Sequence, residues 1–359
     1  MRTKLFAAAI ALIASAVTVR AAEGLTKGTA DAKSATALAF GPKGLLFIGD
    51  SAGATIYAVE TGDTKSGGDK PVNFERIDSK IASLLGTTEK DVKINDVKVN
   101  PASGNVYLAL TRGTGAGQPA IVKLSRDGTL DVVSLKDVPM AKVAIPNPAA
   151  GKGATNSITS MSYIAGVQVG NGRLIVAGLS NEQFASTLRT FEFPFKEADK
   201  GAAIEIFHGA HGAIETRAPI RSFVPYKIGT EENVIATYQC TPLVKIPISE
   251  LKAGTKVKGT TIAELGNGNM PLDMIVYTKG GKDYILVANN KRGVMKIPAE
   301  SLAGAEPITA KPSSVTAGVK YETIAELKGV MQLDKLDDTR AILLVTNGDG
   351  FDLKTIDLP

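Results

Sequence analysis

The two histidines and the single cysteine of this 359-residue chain are the side chains best suited to bind a transition metal. They are His208, His211 and Cys240, and they lie close together in the sequence. Imidazole and thiolate ligands select zinc or copper over calcium, and in a copper site Met270 could add a weak axial sulfur. This grouping predicts a copper or zinc site. The alternative for Cys240 is a small buried apolar residue without chemistry.

Other polar side chains lie where the predicted strands begin or end. Arg112 and Arg217 could hold an anionic group through bidentate hydrogen bonds, and Asn347 lies in a corresponding loop. A surface of this kind can bind a small molecule or a protein partner without catalysing a reaction. Asparagine and aspartate are also common in tight turns for conformational reasons alone. Binding roles and structural roles both stay open for such residues.

The elements that must position these side chains come from a repeated sequence unit of roughly fifty to sixty residues. Thr261–Leu265 recurs as Thr323–Leu327, and Lys245–Pro247 recurs as Lys296–Pro298. Each of six segments contains a very apolar strand, a polar break and an alternating strand. The six strand pairs span residues 45–60, 105–125, 173–193, 233–248, 284–298 and 341–358.

Six such units predict an all-β fold, a six-bladed β-propeller built from four-stranded antiparallel blades. The chain ends on the third strand of the last unit, so residues 22–34 are expected to supply the strand that closes the ring. One short helical insertion is expected at about 78–85, ended by Gly86. Two smaller β-domains are the rival arrangement, but the regular spacing of the repeat argues against them. Outer strands are predicted at 130–135, 203–207, 261–265 and 323–327.

Two segments resemble a known family of propellers. Asn269–Val276, followed by the apolar strand 284–290, resembles the blade of the gluconolactonase and senescence-marker-protein family that carries a calcium-binding aspartate. Asn156–Ile158 is similar to the blade of that family with a calcium-binding asparagine. Paraoxonases and NHL-repeat propellers share the architecture more distantly. Calcium takes oxygen ligands, and those that the resemblance implies are Asp273 and Asn156, joined by Asp96 and Asn289.

The resemblance also implies a reaction, because a calcium centre can polarise a lactone carbonyl and bind an attacking water. The metal-binding glutamate that opens the first blade of that family has no counterpart in Lys33–Ala37. We therefore expect a propeller that binds a small ligand, a metal or a protein partner at its channel mouth. The alternatives are a metal-dependent lactone or ester hydrolase and a copper or zinc protein. Whether the protein is an enzyme stays open.

The first 21 residues have the pattern of a secretory signal peptide. Arg2 and Lys4 precede an apolar run, Leu5–Val19, that is too short to span a membrane. Cleavage would leave a single domain, 22–359, in the periplasm or outside the cell and not inserted in a membrane. It would also remove three basic residues from a chain whose net charge is only +5, which argues against a nucleic-acid partner. The composition, 44% hydrophobic and 21% charged, excludes disordered and fibrous classes.

Overall fold

The structure, a computed structural model, describes residues 23–115, 117–165 and 172–359, so the predicted signal peptide, 1–21, lies outside the described residues. The fold is mostly β, with one α-helix among the described residues, α1 (Ile77–Leu85). No helix in those ranges is long and apolar enough to cross a bilayer. The strands are β1 (Thr26–Gly28), β2 (Ala37–Phe40), β3 (Leu45–Asp50), β4 (Thr55–Glu60), β5 (Val92–Val99), β6 (Val106–Arg112), β7 (Gln118–Leu124), β8 (Leu130–Val132), β9 (Val138–Ala144), β10 (Ser160–Ile164), β11 (Arg173–Leu179), β12 (Ser186–Glu192), β13 (Ala202–His208), β14 (Ala213–Glu215), β15 (Ile220–Ile228), β16 (Glu231–Tyr238), β17 (Pro242–Pro247), β18 (Lys256–Glu264), β19 (Pro271–Lys279), β20 (Lys282–Asn289), β21 (Gly293–Pro298), β22 (Ala317–Gly318), β23 (Glu322–Ile324), β24 (Val330–Lys335), β25 (Arg340–Asn347) and β26 (Gly350–Asp357).

The antiparallel strands fall into six groups that match the six repeated segments. Group 1 is β1–β4 with β9, group 2 is β5–β8, group 3 is β10–β13, group 4 is β15–β18, group 5 is β19–β21 with β23, and group 6 is β24–β26. Groups 3 and 4 form one ten-stranded sheet together with β14 and β22, because their outer strands β13 and β18 pair in parallel. The second and third strands of every group coincide with the strand pairs predicted from the sequence, a prediction that the pairing confirms.

The apolar residues of the strands explain how the groups pack. All six residues of β3, Leu45–Asp50, are buried, since its sheet is covered on both faces. Outer strands such as β13 alternate between buried and partly exposed positions. The buried apolar side chains form six clusters, and each cluster is shared by two groups. The clusters join groups 1 and 2, 2 and 6, 6 and 5, 5 and 4, 4 and 3, and 3 and 1.

The innermost strand of each group contacts the innermost strands of both neighbours in the same cyclic order. These contacts join β2 to β5, β5 to β24, β24 to β19, β19 to β15, β15 to β10 and β10 to β2. The groups therefore do not follow one another around the ring in chain order. Group 2 lies between groups 6 and 1, and group 3 is the other neighbour of group 1. The chain leaves β4, builds group 2, and then returns as β9 to pair with β4.

Residues 22–34 were expected to supply the outer strand of group 6, but another segment lies at that position. The only strand described within residues 22–34, β1, pairs with β9 in group 1. The open edge of β26 is met by Phe74, whose N–H donates to the Leu353 carbonyl and whose carbonyl accepts from the Leu353 N–H, both at 2.8 Å. The Val72 N–H adds a hydrogen bond to Thr355 Oγ1 at 2.8 Å. The edge is thus covered by the segment that links groups 1 and 2.

The predicted helical insertion is confirmed as α1. Ile77 and Ile81 are fully buried and share a cluster with Leu353 of β26, so the helix packs on group 6. Gly86 ends it at a φ of 62°, where its N–H reaches the Ala82 and Ser83 carbonyls. Truncating either isoleucine to alanine should cost about 2–5 kcal/mol.

Candidate functional site

The structure brings His208, His211 and Cys240 together, with ligand atoms that all lie within 4.8 Å of one another. His208 is the last residue of β13, and His211 follows in the turn to β14. That turn is fixed by the Gly212 N–H, which donates to the His208 carbonyl at 2.8 Å. Cys240 lies in the turn between β16 and β17, so the cluster joins group 3 to group 4.

The backbone at the cysteine has an uncommon conformation. Cys240 and Thr241 have φ angles of 61° and 70°, the left-handed region that residues other than glycine avoid. Such residues cost on the order of 1–3 kcal/mol each and persist only where their surroundings hold them. Here the Cys240 N–H donates to the Asn269 carbonyl at 2.9 Å, and Thr241 Oγ1 donates to the Gly266 carbonyl at 2.6 Å. The thiol is therefore carried by a turn anchored to the loop before β19.

Glu215 of β14 contacts both imidazoles. Its Oε1 lies 2.6 Å from Nδ1 of His211, and its Oε2 lies 2.9 Å from Nδ1 of His208. The two rings are 3.9 Å apart. Burial alone would raise the pKa of Glu215, but the two histidines outweigh it and lower the pKa below its usual range. A carboxylate at Nδ1 favours the tautomer that leaves Nε2 free as a metal ligand.

Neither ring nitrogen of His208 has a hydrogen-bond partner among the described residues, because the 2.9 Å contact of Nδ1 with Glu215 lacks hydrogen-bond geometry and Nε2 has no polar partner. The side chain is only 2% exposed, so bulk solvent does not reach it. Buried polar atoms without partners are rare in folded proteins and call for an explanation such as a bound ion. A tetrahedral zinc ion would need ligand atoms about 3.4–3.8 Å apart, given its usual bond lengths.

A second carboxylate, Glu264 at the end of β18, packs under the histidine loop. Its Oε1 accepts the Gly209 N–H at 2.6 Å, and the residue is only 1% exposed. Burial raises the pKa of Glu264 to about 7. Glu215 and Glu264 thus have opposite pKa shifts on the two sides of one short loop.

The acidic residues Asp96 and Asp273 meet elsewhere, on the ring of innermost strands. Lys98 Nζ lies 3.6 Å from Asp96 and 3.3 Å from Asp273. Turned to donate, the Gln332 amide reaches the same two carboxylates at 3.3 and 3.0 Å. Bulges precede Asp96, Asp273 and Gln332 in their strands. The same local distortion in separate groups therefore turns polar side chains toward one point.

These carboxylates also join neighbouring innermost strands. Asp96 Oδ2 accepts the Leu38 N–H at 2.7 Å, and Asp334 Oδ2 accepts the Val99 N–H at 2.7 Å. Burial raises the pKa of Asp96 to about 6, against the opposing effect of Lys98, and burial raises the pKa of Asp334 as well. Burial alone would lower the pKa of Lys98, but the surrounding carboxylates raise it above its ordinary value. The single ammonium of Lys98 thus lies among three carboxylates, and two of these carboxylates link neighbouring innermost strands.

The other residues expected to bind calcium have different surroundings. Asn289 is buried, and its Oδ1 accepts from Asn269 Nδ2 at 2.8 Å. Asn156 ends a short 3₁₀ helix, Gly151–Asn156. Neither forms a hydrogen bond with Asp96 or Asp273 within the described part of the chain. The structure thus brings together two of the four residues.

The residues expected to bind a ligand at the channel mouth are exposed. Arg112 ends β6, Arg217 lies between β14 and β15, and Asn347 Nδ2 donates to Asp352 Oδ1 at 2.9 Å. None of them lines the central cavity, which has a volume of about 720 Å³. That cavity is bordered by all six innermost strands and by loops joining first to second strands, at 101–104 and 336–340. None of its lining residues lies in a loop between a second and a third strand, the kind of loop that Arg112 and Asn347 adjoin.

Of the charged residues that line this cavity, the sequence singled out Asp273 but not Lys98, Arg126 or Asp334. Lys98 and Asp334 are charged residues inside innermost strands, an unusual position for residues with side chains that are costly to bury. These charged residues within apolar strands are visible in the sequence. Their convergence is not, because the two lie 236 positions apart in the chain and only the ring brings them together.

No protein-family model matches this chain, and no curated protein sequence matches it. Solved structures that are similar include a Thermus thermophilus protein described as an oxidoreductase of the glucose dehydrogenase type (13% identity, 92% of this chain, 99% of that chain, TM-score 0.35). Another is the PQQ-bound aldose sugar dehydrogenase of Streptomyces coelicolor (12% identity, 92% and 96%, TM-score 0.33). A third is an arabinanase of Bacillus subtilis (10% identity, 74% and 95%, TM-score 0.38). Similarity this low transfers neither an activity nor a ligand to this chain.

Proposed function

We propose that this chain is a six-bladed β-propeller that binds one zinc or copper ion through His208, His211 and Cys240. The blade count is supported by the six strand groups and by the closed cycle of contacts among their innermost strands. The six apolar clusters, one at each junction between groups, follow the same cycle. The metal site then lies at the junction of two blades.

The observation that carries the metal assignment is the unpartnered, buried Nε2 of His208 beside a thiol and a second imidazole. Glu215 occupies the opposite nitrogen of both rings, which is the usual role of a carboxylate behind metal-binding histidines. Three protein ligands leave a fourth position for a water, a small ligand or a further side chain.

Zinc and copper fit this donor set better than calcium does, because thiolate and imidazole are soft or intermediate ligands. Calcium would need oxygen ligands, and the hydrolase alternative would place it between Asp96 and Asp273. In the structure the ammonium of Lys98 lies between those carboxylates. A positive side chain there disfavours a divalent cation, so the hydrolase alternative is not part of this proposal.

The test is the metal content of the protein purified without chelators and without a histidine tag. Near-stoichiometric zinc or copper is expected in the native protein, and its loss in Cys240→Ser and in His211→Ala. Gln239→Ser is the matched control, because Gln239 is an exposed neighbour in the same turn. Equal metal content in Cys240→Ser and Gln239→Ser, or no bound metal in any form, would refute the site.

We further propose that the protein acts outside the cytoplasm, as a soluble binding protein for a small molecule or a protein partner. This rests on the signal-peptide pattern of residues 1–21. Expression of the full chain in a bacterial host should yield a periplasmic protein whose first residue is Ala22. Retention in the cytoplasm with the leader intact would contradict the assignment and would leave the metal site untouched.

A further inference from the structure

Among the described residues, one cationic side chain of the central cavity has no carboxylate in contact with it. Four basic side chains line the cavity, namely Lys98, Arg126, Lys335 and Arg340. Salt bridges engage three of them with aspartates: Lys98 with Asp273 at 3.3 Å, Lys335 with Asp338 at 3.0 Å, and Arg340 with Asp337 at 2.6 Å. Arg126 forms no salt bridge within the described ranges, although Asp69 and Asp337 act on its charge from a longer distance.

Arg126 is held in place by its backbone and not by its guanidinium. Its N–H donates to Asn105 Oδ1 at 3.0 Å, in the turn between β7 and β8. The residue is 4% exposed, and its Nε is buried without a hydrogen-bond partner. Burial, and then the positive charge of Arg340, lower the pKa of Arg126. A buried guanidinium with an unpartnered Nε is costly, so this one points to a missing anionic group.

A glycine makes room for the stem of this side chain. A β-carbon at Gly67 would lie 2.8 Å from Arg126 Cγ, which is too close for any other residue. Gly104, next to Nη1, is a glycine for a different reason, since its φ of 75° favours glycine. Gly67 therefore keeps one side of the arginine stem clear.

We propose that the central cavity binds a small polar molecule through a carboxylate or phosphate group that pairs with Arg126. The volume of about 720 Å³ is within the range of small-molecule sites. A guanidinium holds either anion through two parallel hydrogen bonds. This site is independent of the proposed metal site.

Calorimetric titration with inorganic phosphate and with succinate, at constant ionic strength, tests the proposal. At least one anion should bind to the native protein, and Arg126→Gln should weaken it by about tenfold or more, as expected for a charged hydrogen-bonded pair. Binding of phosphate alone indicates a phosphate ester as the natural ligand, and binding of succinate alone indicates a carboxylate. Arg173→Gln is the control, because Arg173, at the start of β11, is exposed and lies outside the cavity.

Two further variants keep the test decisive if Arg126→Gln does not fold. Ala102→Trp should block the cavity from its lining loop and abolish anion binding with an unchanged circular dichroism spectrum. Asp69→Asn should strengthen binding, since Asp69 is an acidic residue on the cavity wall that would repel the anion. The proposal is wrong if neither anion binds, or if binding survives both Arg126→Gln and Ala102→Trp. Metal content measured in the same variants should stay unchanged, which separates this site from the histidine and cysteine cluster.

Discussion

Glu215 Oε1 lies 2.6 Å from Nδ1 of His211, and the other oxygen of the same carboxylate lies beside His208. One short strand, β14, thus fixes two imidazoles that the turn before it brings together. Replacing this carboxylate tests whether the arrangement serves metal binding or only the local fold.

Glu215→Gln should weaken zinc or copper binding by about 10–100-fold, because the carboxylate orients the rings and raises their basicity. The affinity can be measured by competition with a chromophoric chelator. Glu231→Gln, at an exposed position at the start of β16, is the control and should bind metal like the native protein. A loss of stability in Glu215→Gln without a change in affinity would indicate a purely structural role.

The reactivity of the Cys240 thiol should depend directly on bound metal, since Cys240 is the only thiol of the chain and is partly exposed. In the metal-free protein it should react with a thiol reagent, and bound zinc or copper should slow that reaction by occupying the sulfur. A chelator should restore the fast rate. Equal rates with and without metal would mean that the sulfur is not a ligand.

Lys98→Met should destabilise the fold by about 3–5 kcal/mol, because it leaves buried carboxylates without their cation. Urea denaturation measures the loss. Lys335→Met is the matched control, since Lys335 also lines the cavity but pairs with an Asp338 side chain that is 97% exposed. Lys335→Met should lower the free energy of unfolding by less than about 1 kcal/mol. Similar losses in both variants would show that the interior charges do not differ from surface ones.

Asp63 should make stability depend on acid pH. Its Oδ2 accepts hydrogen bonds from Asn100, Ser103, Asn105 and Tyr107, and it ties the segment after β4 to group 2. Burial alone would raise the pKa of Asp63, but these donors outweigh it and lower the pKa. The unfolded chain therefore binds the proton more tightly than the folded protein does.

It follows that the contribution of Asp63 is complete above the unfolded pKa of about 4 and is lost as the pH falls through the lowered folded value. Asp63→Ala should cost about 1–3 kcal/mol at neutral pH. Denaturation curves from neutral to strongly acidic pH should show a shallower acid loss in the variant than in the native protein. Parallel pH profiles would contradict the assigned shift.

The strands and the helix were predictable from the sequence because their signals are local. Alternation between apolar and polar residues marks an outer strand such as β13. Where both faces of a strand are covered, as in Leu45–Asp50, the apolar run itself marks the strand. Gly86 marked the end of α1 for an equally local reason, since the left-handed C-cap favours glycine. The joint placement of His208 and His211 also needs only one turn.

The sequence by itself determined the strand positions, the repeated unit and the small set of residues able to ligate a soft metal. Only the tertiary structure decided which groups are neighbours, that Phe74 covers the edge of β26, and that Lys98 meets Asp273. The six groups carry similar apolar patterns, so local pattern cannot specify which sheet face packs on which. Long-range packing selects one cyclic order, and that order alone creates the cavity that contains Arg126.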